Sequence, residues 1–135
     1  MRDKFLILLN SLSEKLEIDL QLDKNGACSI LYEDSLQVQL ELDSTLENLI
    51  VFSSLFTLAP GKFREAVLLN ALKANDTFPY VATFSYFEPD SSLAFHNFLK
   101  FETLNVDILV SYLSTFVELA SRYKKAIEQG NSSFF

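Results

Sequence analysis

The chain has 135 residues, nearly half of them apolar, with eighteen acidic against eleven basic side chains and a formal charge of −7. That length fits one domain with a real core, and that charge leaves no basic stripe to displace phosphate counterions, which argues against nucleic acid and an anionic membrane as partners. Thirteen phenylalanines and no tryptophan supply more apolar surface than one small core needs, so the surplus is expected to line a binding surface.

Asp3 to Glu17 is predicted as the first helix, because Phe5, Leu9, Leu12 and Leu16 fall on one face with Leu8 beside them. Leu6 and Ile7 lie off that face and read either as a helix end tucked under a loop or as a solvent-facing contact site. The apolar run Phe5 to Leu9 is cut short by Asn10 and Ser11, too brief for a signal sequence or a membrane span. With a lone cysteine, Cys28, that forms no internal disulfide and no metal cluster, this suits a reducing cytoplasm.

From Ile18 the period becomes two: Ile18, Leu20 and Leu22 alternate with Asp19, Gln21 and Asp23 up to the turn signal Lys24-Asn25-Gly26. Ala27 to Glu33 reads as a strand, and a reversal at Asp34-Ser35 leads into Leu36, Val38, Leu40 and Leu42 alternating with Gln37, Gln39 and Glu41, a sheet with one wet face. Asn48 to Leu58 is apolar on both alternating sets, Leu49, Val51 and Leu55 against Ile50, Phe52 and Phe56, and is therefore expected to be central and covered on both sides.

Pro60-Gly61 ends that strand and opens a helix expected to run to Thr77. Phe63, Val67, Ala71 and Ala74 fall on one side of it, and Leu68, Leu69 and Leu72 on roughly the opposite side. A helix apolar nearly all round needs covering on more than one side. The protein's own sheet is one cover, and a second copy of the chain is a candidate for the other.

The helix is expected to run out at Asp76-Thr77-Phe78-Pro79, and two strands follow, Tyr80 to Phe87 and Ser92 to Phe101, joined by Glu88-Pro89-Asp90-Ser91. Both faces of this hairpin carry aromatics. Val106 to about Glu128 is the last helix, capped by Asn105, with Leu109, Leu113, Phe116, Ala120, Tyr123 and Ile127 in one stripe, and residues 131–135 are expected to form a frayed tail. The order helix, three strands, helix, two strands, helix predicts a single α+β domain over residues 1–135, a twisted antiparallel sheet covered by helices.

No catalytic constellation emerges. The only histidine, His96, reads as an ordinary strand residue, Cys28 as a small buried hydrophobe, and Glu41, Asp43 and Glu47 as solvated surface without calcium-loop spacing. Three isolated glycines make no phosphate-cradling loop, and no cofactor is implied.

The ordered elements, the strand Leu36 to Leu42 and above all Leu68-Leu69-Asn70-Ala71-Leu72-Lys73-Ala74-Asn75 resemble the class I type III secretion chaperones, the CesT-like or Tir chaperone family, over Phe5 to about Ile127. The chain departs from that family's frequent small-residue turn after the middle helix, carrying Thr77-Phe78-Pro79-Tyr80 instead. The resemblance implies a cytoplasmic bacterial homodimer without enzymatic activity that holds the N-terminal segment of one or more secreted effectors in extended form. It leaves contact with the secretion ATPase open. In that light Phe63, Val67, Ala71 and Ala74 are expected at the dimer interface, since small residues allow close helix approach, and Leu68, Leu69 and Leu72 on the sheet, although the two faces can be exchanged. Leu6, Ile7, Phe84, Tyr86 and Phe98 are the expected effector-binding groove, with core packing the alternative for each aromatic. Two rival functions remain: a small α+β enzyme or ligand-binding cup with an aromatic-lined cavity faced by His96, and a dimeric adaptor for folded partners.

Overall fold

The computed structural model describes residues 2–32, 35–77 and 81–135. Glu33 and Asp34 of the expected reversal, and Phe78, Pro79 and Tyr80 between the middle helix and the next strand, lie outside the described residues. The elements are α1 (Arg2–Leu16), β1 (Cys28–Tyr32), β2 (Leu36–Leu42), β3 (Asn48–Thr57), α2 (Lys62–Asn75), β4 (Thr83–Phe87), β5 (Ser92–Lys100) and α3 (Val106–Glu128), with single 3-10 turns at Glu88–Asp90 and Phe101–Thr103. This is the expected order in one domain.

In α1 the predicted stripe is the buried one: Phe5, Leu8, Leu9 and Leu12 all point into the core. The helix closes through Glu17, which takes a left-handed conformation, while the Ile18 amide bonds back to the Ser13 carbonyl at 3.2 Å. That closure explains why the alternation Ile18 to Leu22 makes no strand. Ile18 belongs to the helix end, and the Asp23 carboxylate folds the next turn by accepting the amides of Asn25 at 2.8 Å and Ala27 at 3.0 Å. Only Leu22 reaches the sheet, through an isolated bridge to Cys28.

The five strands form one antiparallel sheet in the order β1-β2-β3-β5-β4. Register fixes which residues share a face, because paired residues point to the same side and neighbours alternate. Cys28 pairs with Leu40, Leu40 with Val51, Ser53 with Phe95, and Phe95 with Phe84. These residues line the side on which α3 lays its stripe of Leu109, Leu113, Phe116, Ala120 and Ile127, and together they are the core. Phe95 stacks on Phe116 with centroids 4.9 Å apart. Asn105 caps α3 as expected, its side chain accepting from the Ile108 amide at 2.9 Å.

The expectation for β3 holds in position and fails in cover. It is the middle strand, with Leu49, Val51 and Leu55 buried, but Ile50 and Phe52 on its other face are only half-buried because no element of the described chain lies over them. Phe56 departs from the expected set for a local reason. The register shifts between Ser54 and Phe56, bringing Phe56 opposite Leu93, so that Leu55 and Phe56 both pack on the core. The Lys124 ammonium of α3 donates to the Leu55 carbonyl at 2.8 Å in that bulge.

The closing segment is not frayed. Gly130 takes the left-handed conformation that ends α3, the Asn131 amide bonds back to the Ala126 carbonyl at 2.9 Å, and Phe134 turns inward to 3% exposure. Phe134 drives this docking, since its ring finds an apolar seat that a polar tail would leave empty.

Candidate interaction surfaces

The middle helix presents its two apolar faces in the reverse of the expected sense. Val67 and Ala71 are buried within the protomer at 0% and 4% exposure, so neither is available to a partner, whereas Leu69 and Leu72 stand out at 54% and 68%. The reason is size. α2 lies close to β4, and small side chains on the inner side permit that approach, while Leu68 is accommodated at the border and Ala74 is half-buried beside it. Two polar clamps fix the inner side: the Asn75 carboxamide accepts the Phe84 amide and donates to the Phe84 carbonyl, both at 2.8 Å, and Arg64 lies over the Tyr86 ring at 5.8 Å while donating to its hydroxyl at 3.3 Å. Phe63, at the helix start, is 38% exposed and joins Leu69 and Leu72 as the accessible apolar residues of α2.

The five expected groove residues do not converge. Ile7 is 65% exposed and lines a cleft of about 370 Å³ with Leu8, Phe101, Leu104 and Val106. Leu6, at 45%, faces the other flank of α1, a cleft of about 280 Å³ shared with Leu22, Leu42 and Leu46. Phe84 is core rather than groove: at 7% exposure it packs on Phe95, Tyr123 and Phe134 at centroid distances of 4.9, 5.2 and 5.2 Å. The hairpin turns it inward because it pairs with Phe95. Tyr86 shares that side, tied to α2 by Arg64, and Phe98 stands on the opposite face of the sheet at 51% exposure.

That opposite face of the sheet is left uncovered by the helices of the described chain. Ile50, Phe52, Phe87 and Phe98 supply its apolar lane, with Phe52 and Phe87 edge to face at 5.1 Å. Gln37, Gln39, Ser54 and Ser85 interleave amides and hydroxyls. His96 sits in this lane with its Nδ1 3.3 Å from the Ser85 hydroxyl, and burial pushes its pKa below the ordinary histidine value. It faces an open surface, and among the described residues the Ser85 hydroxyl has this imidazole beside it but no carboxylate pairs with His96 to orient it as a base. Cys28 is fully buried, and burial followed by the charge of Asp23 raises its thiol pKa, which makes it inert as a nucleophile. Among the described residues no three metal-ligating side chains converge, and no helix is long and apolar enough to cross a membrane.

One cleft escaped the sequence reading. Leu16, Tyr32, Val110, Leu113 and Val117 floor a groove of about 630 Å³ along the outer side of α3, rimmed by Glu118, Arg122 and Lys125. Its signal was present in Val110 and Val117, apolar residues of α3 outside the main stripe, and it needed Tyr32 from β1 to become a groove.

Comparison with known proteins follows the same lines. The model of the Tir chaperone protein (CesT) family matches residues 7–124. Among solved structures the fold is similar to a chain of the HopA1-SchA chaperone-effector complex, with TM-score 0.72, 20% identity, and coverage of 90% of this chain and 94% of that one. A chain of the ExsC-ExsE complex gives TM-score 0.73 at 19% identity, covering 93% and 94%. The complex of the Yersinia pestis type III secretion chaperone SycH with a stable fragment of YscM2 gives 0.66 at 18%, covering 84% and 94%. No curated protein sequence matches the chain significantly.

Proposed function

The chain belongs to the Tir chaperone protein (CesT) family, and from that footing we propose that it is a cytoplasmic type III secretion chaperone without enzymatic activity. It holds the N-terminal segment of an effector extended and ready for export. The observation that carries this reading is the uncovered face of the sheet, where Ile50, Phe52, Phe87 and Phe98 alternate with hydrogen-bonding side chains across several strands. An apolar lane of this kind, edged by amides and hydroxyls, suits a polypeptide that brings its own backbone. Solved relatives of the fold described as chaperone–effector complexes support the same use. The clefts beside Ile7 and Leu6 and the groove along α3 extend the surface over which a disordered client is wrapped, and a long wrap offsets the ordering cost of about 2–5 kcal/mol that such a client carries.

In this reading two copies pair through the outward side of α2, with Leu69 and Leu72 in place of Val67 and Ala71, and Phe63 at the helix start on the rim of the contact. The free edge of β1 is open to strand addition, since β1 pairs only with β2 beyond the single bridge at Cys28. The experiment is limited proteolysis of an effector's N-terminal segment mixed with the chain. A protected, extended segment is expected, and Phe98→Asp combined with Phe52→Asp is expected to abolish protection while the circular dichroism stays that of the wild type. Undiminished protection by that folded double variant would sink the assignment of the sheet face.

A further inference from the structure

Residues 131–135 do more than cover a gap in the core, because the segment touches α2, α3 and β4 at once. The reversal after α3 is built into the backbone by Gly130 and by the bond from the Asn131 amide to the Ala126 carbonyl at 2.9 Å. One residue on, the carbonyl of Ser132 accepts the side-chain amide of Asn70, from the middle of α2, at 2.7 Å. Two residues further, Phe134 is buried edge to face against Phe84 at 5.2 Å and Tyr123 at 5.8 Å. Phe84 is the same residue whose amide and carbonyl are both held by Asn75 of α2.

The segment is therefore the third side of a closed ring of contacts: α2 to β4 through Asn75, β4 to the segment through Phe84, and the segment back to α2 through Asn70. Without it α2 would be held by a narrow contact, since only Val67 and Ala71 of that helix are fully buried. We propose that Asn131–Phe135 is a strap that latches α2 to β4 and α3 through the seated ring of Phe134, and so sets the pose in which α2 presents its outward face. The strap acts within one protomer, so it stands whether or not the chain serves as a chaperone. Phe135, beside it, is 54% exposed and lies edge to face on the Phe134 ring at 5.8 Å, outside the buried seat.

Hydrogen–deuterium exchange of the full chain tests this. Phe134→Ala is expected to raise exchange across α2 by at least about tenfold, with protection of β2, β3 and the first half of α3 retained, because opening is local where few contacts hold an element. Asn70→Ala removes a single hydrogen bond and is expected to raise α2 exchange by a smaller factor, about tenfold at most. Phe135→Ala removes only an exposed ring at the edge of Phe134 and is expected to have a much smaller effect than Phe134→Ala. Unchanged protection of α2 in both the Phe134 and Asn70 variants overturns the proposal. So does a loss of protection spread equally over every element, which would make Phe134 an ordinary core residue, and an effect of Phe135→Ala equal to that of Phe134→Ala.

Discussion

Replacing Leu69 and Leu72 together by aspartate is predicted to convert the protein to monomers without unfolding it. Burying a leucine side chain is worth about 1.5–3 kcal/mol. At 54% and 68% exposure, each of these has roughly half to two-thirds of that still to gain, about 1–2 kcal/mol apiece on the same scale. A twofold contact uses each residue twice, so the four side chains contribute about 4–7 kcal/mol, three to five orders of magnitude in the dissociation constant at about 1.4 kcal/mol per tenfold. Aspartate forfeits that gain and adds the desolvation of four like charges. Size-exclusion chromatography with light scattering over a dilution series reads the outcome: dimers for the wild type at micromolar concentration, monomers for the variant. Val67→Glu is predicted to behave differently. With Val67 fully buried, it places a charge in the core and should lose the fold itself, not merely the partner. A folded aspartate double variant that remains dimeric, or a wild type that is monomeric at tens of micromolar, would refute the assignment of this face.

Three further predictions concern stability. Hydrogen bonds from Asn48 and Thr45 hold the Asp43 carboxyl at about 2, below its ordinary 3.8. The stability it lends is present above 3.8 and is lost as pH falls from there to about 2, so the melting-temperature gap between wild type and Asp43→Ala should close over that window. His96 is the single histidine, and burial lowers its pKa from 6.5, so the unfolded chain binds its proton first and stability should fall as pH drops through and below 6.5; His96→Gln should flatten that slope in denaturant titrations. Lys124→Met keeps the aliphatic stem but strands the Leu55 carbonyl in the β3 bulge. A loss of about 1–3 kcal/mol is expected as a shift of the urea midpoint at constant slope.

Strict periodicity carried most of the fold. β2 alternates without exception, and α3 shows one stripe with an Asn105 cap, and both stand where the pattern put them. Legibility ended where a few atoms outside the pattern decided the matter. The alternation Ile18 to Leu22 was a strand in pattern, but the carboxylate of Asp23 and the closure of α1 committed its backbone to turns. The inner and outer sides of α2 could not be told apart because both are apolar; closeness to β4 selected the smaller side chains, a distance that no local sequence states. For the same reason Phe84 and Phe98 looked equivalent, although pairing with Phe95 and with Ile50 sends them to opposite faces. The closing Ser-Ser-Phe-Phe read as a tail because its composition is short and polar up to its aromatics, and its seat is made by Phe84 and Tyr123, far away in the chain.

The excess of phenylalanine resolves into two surfaces of different kinds, and the difference bears on what each can bind. Phe5, Phe84, Phe95, Phe101, Phe116 and Phe134 satisfy the core, while Phe52, Phe87 and Phe98 lie on the open side of the sheet and Phe63 on α2. On α2 the accessible patch is small and convex, Leu69 and Leu72 on the outward side, with Phe63 apart from them at the helix start. Such a patch yields a stable contact only when its area is doubled, which a twofold pairing with itself achieves. The sheet face is longer, and its apolar rings alternate with the amides of Gln37 and Gln39 and the hydroxyls of Ser54 and Ser85. Those polar groups satisfy an unfolded backbone without selecting particular side chains, which is the requirement for gripping an extended chain of varied sequence. The central strand β3, written apolar on both faces, thus encodes a third layer that the protomer does not itself contain, and the chemistry of that face favours an extended client for it over a second copy of the fold.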